Sequence, residues 1–172
     1  MTDLFLREEF RVAWQGQDPF GQVRALDGDV FRSKEGRRTL RFFHAGRPYF
    51  LKYHQGVGWG EVIKNLLQGR APVVSACNEY LASLALAEAG VDTLTPAAYG
   101  RRGHNPAAME SFLITDDLVG TVSLEDYCRG WPDQPPPVAQ KRRLLNKGMW
   151  MAATMHGCGI HPRDFYLCHF LR

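Results

Sequence analysis

The 172-residue sequence has no run of apolar residues long enough to cross a lipid bilayer, which takes about 20. Its first residues are interrupted by charges, so they lack the apolar stretch of a signal peptide. The net charge of +3 is too small to indicate general binding to DNA or RNA, and we expect no nucleic-acid partner. The four cysteines form no C-x-x-C pair, which favours free thiols in the cytoplasm over a disulfide framework.

The first part of the sequence has the composition of β-structure. Residues 39–44 and 49–54 are rich in aromatic and β-branched side chains, and the turn-like "AGRP" between them predicts a hairpin. The segment "DVFRSKEG" predicts a preceding strand and a loop that ends at Gly36.

The middle of the sequence predicts two helices. The first, "WGEVIKNLLQG", is short and is closed by Gly69. The second, "SACNEYLASLALAEAG", has Ser75 as a cap and Gly90 at its end. Four residues of the second helix recur on one apolar face: Cys77, Tyr80, Leu81 and Leu84.

Two more strands are predicted at "LTPAAYG" and "ESFLITDDL", before the sequence becomes mainly helical near Thr121. A helix over "SLEDYCRGW", capped by Ser123, ends before a proline-rich stretch that cannot continue it. The long helix "AQKRRLLNKGMWMAATMHGCG" follows. One face of the long helix is predicted to contain Met149, Ala152, Ala153 and His156.

This order of elements predicts an α+β protein with a small antiparallel sheet lobe followed by a helical lobe. With 45% hydrophobic residues, the chain is long enough for such a two-lobed molecule. A cleft is expected between the two lobes, and clefts at such junctions are the default ligand sites.

Lys52 is the first candidate site residue. Strand alternation places it on one face with Phe50, while Tyr49, Leu51 and Tyr53 lie on the other. Because both faces are apolar, we expect the lysine to be covered and to need a carboxylate or phosphate partner. The alternative is a lysine at a strand end whose ammonium group reaches water.

Glu79 and Asp164 are the other two candidates. Glu79 lies in the first turns of a helix, where it could reach inward or could be a solvated acid favoured by the helix terminus. Asp164 follows an irregular connection among aromatic residues, where a carboxylate either caps backbone N–H groups or acts as a base.

Together, the three residues follow the protein-kinase order. In kinases a lysine of the third strand contacts nucleotide phosphates, a glutamate of the next helix orients it, and an Arg-Asp pair after a long helix supplies the base. The last position of the kinase motif H-R-D-x-x-x-x-N binds metal. Counting from Asp164, that position is His169, which makes His169 a candidate metal ligand.

The chain also resembles one family, through "GWGEVIKNLL", "EAGVDTLTPAAYG", "SFLITDDL", "SLEDYC" and "RDFYLCHFL". These stretches are similar to those of the bacterial lipopolysaccharide core heptose (I) kinases. The resemblance implies a protein-kinase-like fold, ATP, Mg²⁺, and phosphoryl transfer to a heptose of the lipid A–core glycolipid. It also implies a cytoplasmic enzyme in peripheral contact with the inner face of the cytoplasmic membrane.

The resemblance assigns domains and roles as well. Residues 1–118 would form the β lobe, with the helix called αC in kinases, and the hinge; residues 119–172 would begin the helical lobe. Asp164 would be the base, Lys52 the phosphate-binding lysine and Glu79 its partner. The remaining nucleotide-binding residues would be Gly36, Arg37 and Arg38 in the loop over the phosphates, and Thr115, Asp116, Asp117 and Leu118 in the hinge whose backbone meets adenine.

The sequence departs from the kinase pattern in two places. "HPRD" has Pro162 where the family has histidine, and proline removes the imidazole that braces the loop. A second metal-binding aspartate is expected beyond Arg172. We therefore expect the chain to be the front portion of a kinase, truncated after the catalytic loop and without appreciable turnover by itself.

Three alternatives stay open from the sequence. The chain could be a catalytically inactive fragment that binds a nucleotide or glycolipid, or part of a kinase that acts on Kdo or another sugar. A third alternative is a zinc site, for which the possible ligands are Cys158, His161, Cys168 and His169.

Overall fold

The computed structural model of the chain describes residues 2–34, 36–56, 58–69, 74–162 and 165–172. In this part of the chain, six strands form one antiparallel sheet in the order β1-β5-β6-β4-β3-β2. The strands are β1 (Thr2–Leu6), β2 (Asp29–Lys34), β3 (Arg37–His44), β4 (Arg47–Gln55), β5 (Pro96–Arg102) and β6 (Glu110–Asp116). The helices are α1 (Glu8–Ala13), α2 (Pro19–Ala25), α3 (Gly58–Leu67), α4 (Cys77–Glu88), α5 (Leu124–Cys128) and α6 (Val138–Gly157), and a 3₁₀ turn covers Leu167–His169.

The predicted hairpin is confirmed as β3 and β4. Its two connecting residues, Ala45 and Gly46, both have positive φ, at 48° and 76°. A two-residue turn with this geometry matches the right-handed twist of the strands that it joins. The register that follows places Thr39 opposite Lys52.

One face of the sheet is covered by the amino-terminal helices, which the sequence analysis did not predict. The rings of Phe10 on α1, of Trp14 directly after α1 and of Phe20 on α2 lie in the same core as sheet residues. Phe20 meets Phe112 edge-to-face. Burial of this apolar surface is the main force that holds α1 and α2 on the sheet. The core contains Phe10, Trp14, Phe20, Val23, Leu40, Phe42, Tyr49, Leu51, Tyr53, Ala97, Ala98, Phe112 and Ile114.

The opposite face of the sheet is covered by the start of α4. Ala76 packs with Tyr99 and Leu113, and the rings of Tyr80 and Tyr99 are stacked with centroids 4.2 Å apart. The predicted apolar face of this helix was therefore wrong in part, because Leu81 is 55% exposed. Alanine and leucine residues lie on all sides of α4, so the periodicity of its sequence does not by itself select the packed face.

The chain divides into two units, one of Met1–Ser83 with Leu94–Asp117, the other of Leu84–Thr93 with Leu118–Arg172. The predicted domain boundary after residue 118 stays a prediction. In the second unit, Ser123 caps α5 as predicted, since its hydroxyl accepts a hydrogen bond from the Asp126 N–H at 3.0 Å.

The predicted inward face of helix α6 was wrong in part. Met149, placed inward by the sequence analysis, is 61% exposed. Consecutive apolar residues along this helix make neighbouring faces equally apolar, which explains the error of about one position. Of the four residues of the predicted face, only Ala152 is half-buried. The half-buried positions of the helix are Gln140, Lys141, Leu144, Gly148, Met151, Ala152, Thr154 and Met155. In the part of the chain that is described, no helix is long and apolar enough to cross a membrane.

His54 is a half-buried histidine on β4, directly opposite Arg37 of β3. Burial, with the positive charge of Arg37 added, lowers the pKa of His54 to about 4. Nothing local in the sequence indicates that His54 is half-buried.

Replacing Phe10 by alanine should lower the free energy of unfolding by about 3 to 5 kcal/mol, because the ring is fully buried among other aromatic rings. Val12 lies on the same helix and is 62% exposed, so Val12→Ala is the matched control. The control should change the same quantity by less than about 0.5 kcal/mol. Urea unfolding followed by circular dichroism measures both, and equal losses would contradict the packing of α1.

His54 should make the protein less stable in mild acid. Its folded-state pKa lies below the unfolded value of about 6.5, so between pH 6.5 and 4 only the unfolded chain takes up the proton. Relative to a His54→Gln variant, wild type should lose about 1 to 2 kcal/mol of unfolding free energy between roughly pH 7.5 and pH 5. Urea unfolding at the two pH values measures this loss, and identical losses in both proteins would refute the prediction.

Candidate functional site

The candidate site lies on the face of β4 that points away from the amino-terminal helices. β4 pairs with β3 on one side and with β6 on the other, which places Lys52 between Thr39 and Leu113. Because side chains alternate along a strand, Leu51 and Tyr53 point into the core while Lys52 points to the opposite face.

The start of α4 is anchored so that Glu79 comes over this face. The buried N–H of Ala76 donates to the Ser111 hydroxyl on β6 at 3.0 Å, and the Ser75 hydroxyl accepts from the Cys77 N–H at 3.3 Å. Glu79 is one helical turn beyond Ala76 and therefore shares its side of the helix. Two hydroxyls thus set where the carboxylate of the helix points.

Lys52 and Glu79 form a salt bridge in which the Lys52 ammonium donates to Glu79 Oε1. The pairing predicted from strand parity and helix position is confirmed, although the phosphate-binding role of Lys52 stays a prediction. Both side chains are only partly covered, with 40% and 35% of their surface exposed. Lys52 is less covered than expected, and its ammonium group has access to a ligand from solvent.

Arg37 lies on the same side of the sheet as the salt bridge, and Gly36 directly precedes it in the chain. Gly36 has a φ of 71°, and a Cβ there would lie 2.7 Å from the carbonyl oxygens of Gln55 and Gly56. The position therefore requires glycine. Arg37 pairs with His54 across the hairpin, two residues along β4 from Lys52.

Arg38 lies on the other side of the sheet, contrary to the expectation that it faces the phosphates with Arg37. Its guanidinium donates to the carbonyl oxygens of Val23, at 3.1 Å, and Leu26, at 3.1 Å, near the end of α2. A single step along a strand reverses the side-chain direction, so Arg38 points toward α2 while Arg37 points toward the side of His54 and Lys52. Arg38 therefore anchors α2.

A cleft of about 520 Å³ lies beside the β2–β3 hairpin and does not coincide with the salt bridge. Its lining within the described residues includes neither Lys52 nor Glu79. We place the candidate site at the salt bridge, because its two charged groups come from separate elements and meet with defined geometry. The cleft is lined by Arg24, Ser33, Gly36, Arg37, Arg38, Tyr53 and Gln55.

Glu110 anchors the wall of this cleft. It accepts hydrogen bonds from the Tyr53 hydroxyl, at 2.5 Å, and from Arg24 and Arg102, each at 2.6 Å. Burial would raise the pKa of Glu110, but these hydrogen bonds and the arginine charges hold it below its usual value. Burial, together with the hydrogen bond to Glu110, raises the pKa of Tyr53 to about 12.

The predicted hinge begins at the end of β6. Thr115 is buried, the Asp116 N–H donates to the Thr95 carbonyl at 3.0 Å, and the Asp117 N–H donates to the Pro48 carbonyl at 3.2 Å. The Leu118 carbonyl accepts from the Thr121 hydroxyl within the second unit.

The two hinge carboxylates are held by arginines. Asp116 binds the guanidinium of Arg7, and Asp117 accepts from Arg41 Nε at 2.8 Å. Sequence reasoning missed Arg7, which lies 109 positions before its partner. Local patterns cannot report a contact of that separation.

The predicted base Asp164 lies outside the described residues, as does Arg163. His169 is described and exposed, in the 3₁₀ turn. Within the described ranges, no group of three or more histidine, cysteine or acidic side chains is placed to hold a metal ion. The four proposed zinc ligands are all described, and they do not come together in such a group; they are Cys158, His161, Cys168 and His169.

Comparison with known proteins gives consistent matches. Residues 21–172 match the family model described as the Lipopolysaccharide kinase (Kdo/WaaP) family. The chain is 50% identical over 166 residues to the lipopolysaccharide core heptose(I) kinase WaaP of Escherichia coli, covering 96% of this chain and 63% of that protein. It is 49% identical over 168 residues to the protein of the same name from Pseudomonas aeruginosa, covering 98% and 63%.

A solved structure, of WaaP in complex with acyl carrier protein, matches with a TM-score of 0.84 and 42% identity over 98% of this chain and 63% of that one. The expectation of a mixed α and β fold with an antiparallel sheet is confirmed. The chain spans about 63% of the length of the relatives that it matches. The resemblance identified in the sequence motifs is confirmed, and the chain belongs to the lipopolysaccharide kinase (Kdo/WaaP) family.

Proposed function

We propose that the protein to which this chain belongs phosphorylates a heptose of the lipid A–core oligosaccharide, with ATP as the phosphoryl donor. Membership of the lipopolysaccharide kinase family supports the reaction class. The single structural observation that carries the proposal is the salt bridge between Lys52 and Glu79. This pair joins the central strand β4 to helix α4, as the phosphate-binding lysine and its partner join a strand to a helix in kinases.

In the proposal, Lys52 binds phosphate oxygens of ATP and Glu79 orients it. An ammonium group has three N–H donors, and Glu79 uses one, so two more can point toward an anion. The partial exposure of the lysine leaves a path for the ligand. The carboxylate also offsets the positive charge when no phosphate is bound.

Gly36 and Arg37 complete the phosphate side of the proposed nucleotide site. Glycine lets the loop backbone approach the phosphates closely, and Arg37 adds charge on the Lys52 side. Arg38 is left out of the proposal, because its guanidinium is occupied by carbonyl oxygens near the end of α2. Adenine would meet the backbone of residues 115–118.

Asp164 is the proposed base that accepts the proton of the attacking heptose hydroxyl. Magnesium, when bound, would neutralise charge between the β- and γ-phosphates. It prefers oxygen ligands, so the nitrogen donor of His169 fits this ion poorly, and a metal role for His169 stays a prediction.

The proposal includes a protein-kinase-like arrangement of lobes, with residues 1–118 as the β lobe and hinge and residues 119–172 as the beginning of the helical lobe. It also includes peripheral contact with the inner face of the cytoplasmic membrane, because the acceptor is a membrane glycolipid. The similar solved protein is bound to acyl carrier protein, and at 42% identity we extend this partner to the present protein as a proposal.

Lys52→Met should reduce phosphorylation of dephosphorylated core lipopolysaccharide about 100-fold or more, because the charge on the phosphates loses its fixed cationic partner. The assay uses the protein in its full natural length with labelled ATP and magnesium. Lys147→Met is the matched control, since Lys147 on α6 is 53% exposed and pairs only loosely with Asp92 at 3.5 Å. The control should keep activity within about twofold of wild type.

Identifying which sugar carries the label distinguishes the possible phosphoryl acceptors. Label on a core heptose supports the proposal, whereas label on Kdo would assign the enzyme to the other sugar named by the family. Binding of ATP without transfer to any sugar would favour an inactive nucleotide-binding protein. Full activity of Lys52→Met would remove the lysine from the mechanism.

A further inference from the structure

Arg7 lies between β1 and α1 and forms a salt bridge with Asp116 at the end of β6. Its two terminal nitrogens donate to the two oxygens of Asp116, at 2.8 and 2.6 Å. Such a forked contact fixes the angle of the carboxylate as well as its distance. The backbone N–H of Arg7 also donates to the Ala97 carbonyl on β5, at 2.9 Å, so the backbone of Arg7 is attached to the sheet as well.

The fork itself is held in place by a second layer of hydrogen bonds. Arg7 Nε donates to Glu9 at 2.6 Å, and the Tyr49 hydroxyl donates to the same Glu9 oxygen at 3.1 Å. Arg7 is 28% exposed, Asp116 is 37% exposed and Tyr49 is buried, so this network is partly shielded from bulk water. The hydrogen bond to Asp116 raises the pKa of Arg7, which therefore keeps its charge.

Asp117, which follows Asp116, is bound by an arginine from the opposite side of the sheet. Arg41 donates to Asp117, whose side chain is only 12% exposed. The backbone N–H groups of Asp116 and Asp117 are bonded to carbonyls of two different segments, at Thr95 and Pro48. Two consecutive residues are thus fixed by four contacts, immediately before the chain passes into the second unit at Leu118.

We propose that Arg7 is a positioning residue for nucleotide binding, acting through Asp116 on the backbone that receives adenine. This inference rests on the proposed function, which places adenine at residues 115–118. A flat base recognised by backbone groups needs peptide planes held within a fraction of an ångström. Arg7 precedes residue 21, where the family match begins, so the match itself assigns it no role.

The experiment compares two ligands, ATP and inorganic tripolyphosphate, by calorimetric titration of the full-length protein with magnesium present. Tripolyphosphate carries the phosphates but no adenine. Arg7→Gln should weaken ATP binding about 10-fold while changing tripolyphosphate binding less than about twofold. Arg7→Lys keeps the charge but loses the fork, so it should recover part of the ATP affinity.

Coupling to Asp116 provides the second readout. Asp116→Asn should weaken ATP binding to a similar extent, and the Arg7→Gln/Asp116→Asn double variant should be no weaker than either single variant. Arg11→Gln is the matched control, because Arg11 lies on α1 in an exposed pair with Glu8. It should leave the affinity for both ligands within about twofold of wild type.

Other binding results would contradict the proposed role of Arg7. Equal losses for ATP and tripolyphosphate in Arg7→Gln would make Arg7 a purely structural residue, and unchanged ATP binding would remove it altogether. If Arg7→Gln does not fold, Arg7→Lys decides, and an ATP affinity equal to wild type would overturn the inference. A wild-type protein that binds neither ligand would overturn the proposed function, and the inference with it.

Discussion

The alternation of side chains along β4 is the constraint on which the rest of the structure depends. This strand pairs with β3 and β6, so its register is fixed from both sides. Leu51 and Tyr53 are buried on one face, while Lys52 and His54 occupy the other. A slip of one residue would exchange the two sets, placing the lysine in the apolar core and the tyrosine beside α4. Core packing therefore specifies the site.

The amino-terminal segment connects the core with the candidate site. Phe10 and Phe20 supply rings to the apolar face of the sheet, and Arg7, between β1 and α1, holds the end of β6. Packing of α1 thus brings a charged group to the point where the chain leaves the first unit. The same short segment contributes hydrophobic burial and a directional ionic contact, although neither follows from its own sequence pattern.

Arg37 and Arg38 are adjacent in the sequence but take different places in the structure. Arg37 and Arg38 are chemically identical and both follow Gly36, and we expected both over the phosphates. Strand alternation places only Arg37 on the Lys52 side, while Arg38 anchors α2. The parity rule that correctly paired Lys52 with Glu79 also separates the arginines, but only once β3 is known to begin at Arg37.

The sequence by itself determined several local features: the β3–β4 hairpin, the Ser123 cap of α5 and the motifs of the family. These depend on residues within a few positions of one another. Only the tertiary structure decided which face of α4 packs on the sheet, that His54 is half-buried, and that Arg7 reaches Asp116 across 109 positions. The physical reason is that burial and ion pairing depend on which segments meet, whereas periodicity describes one segment at a time.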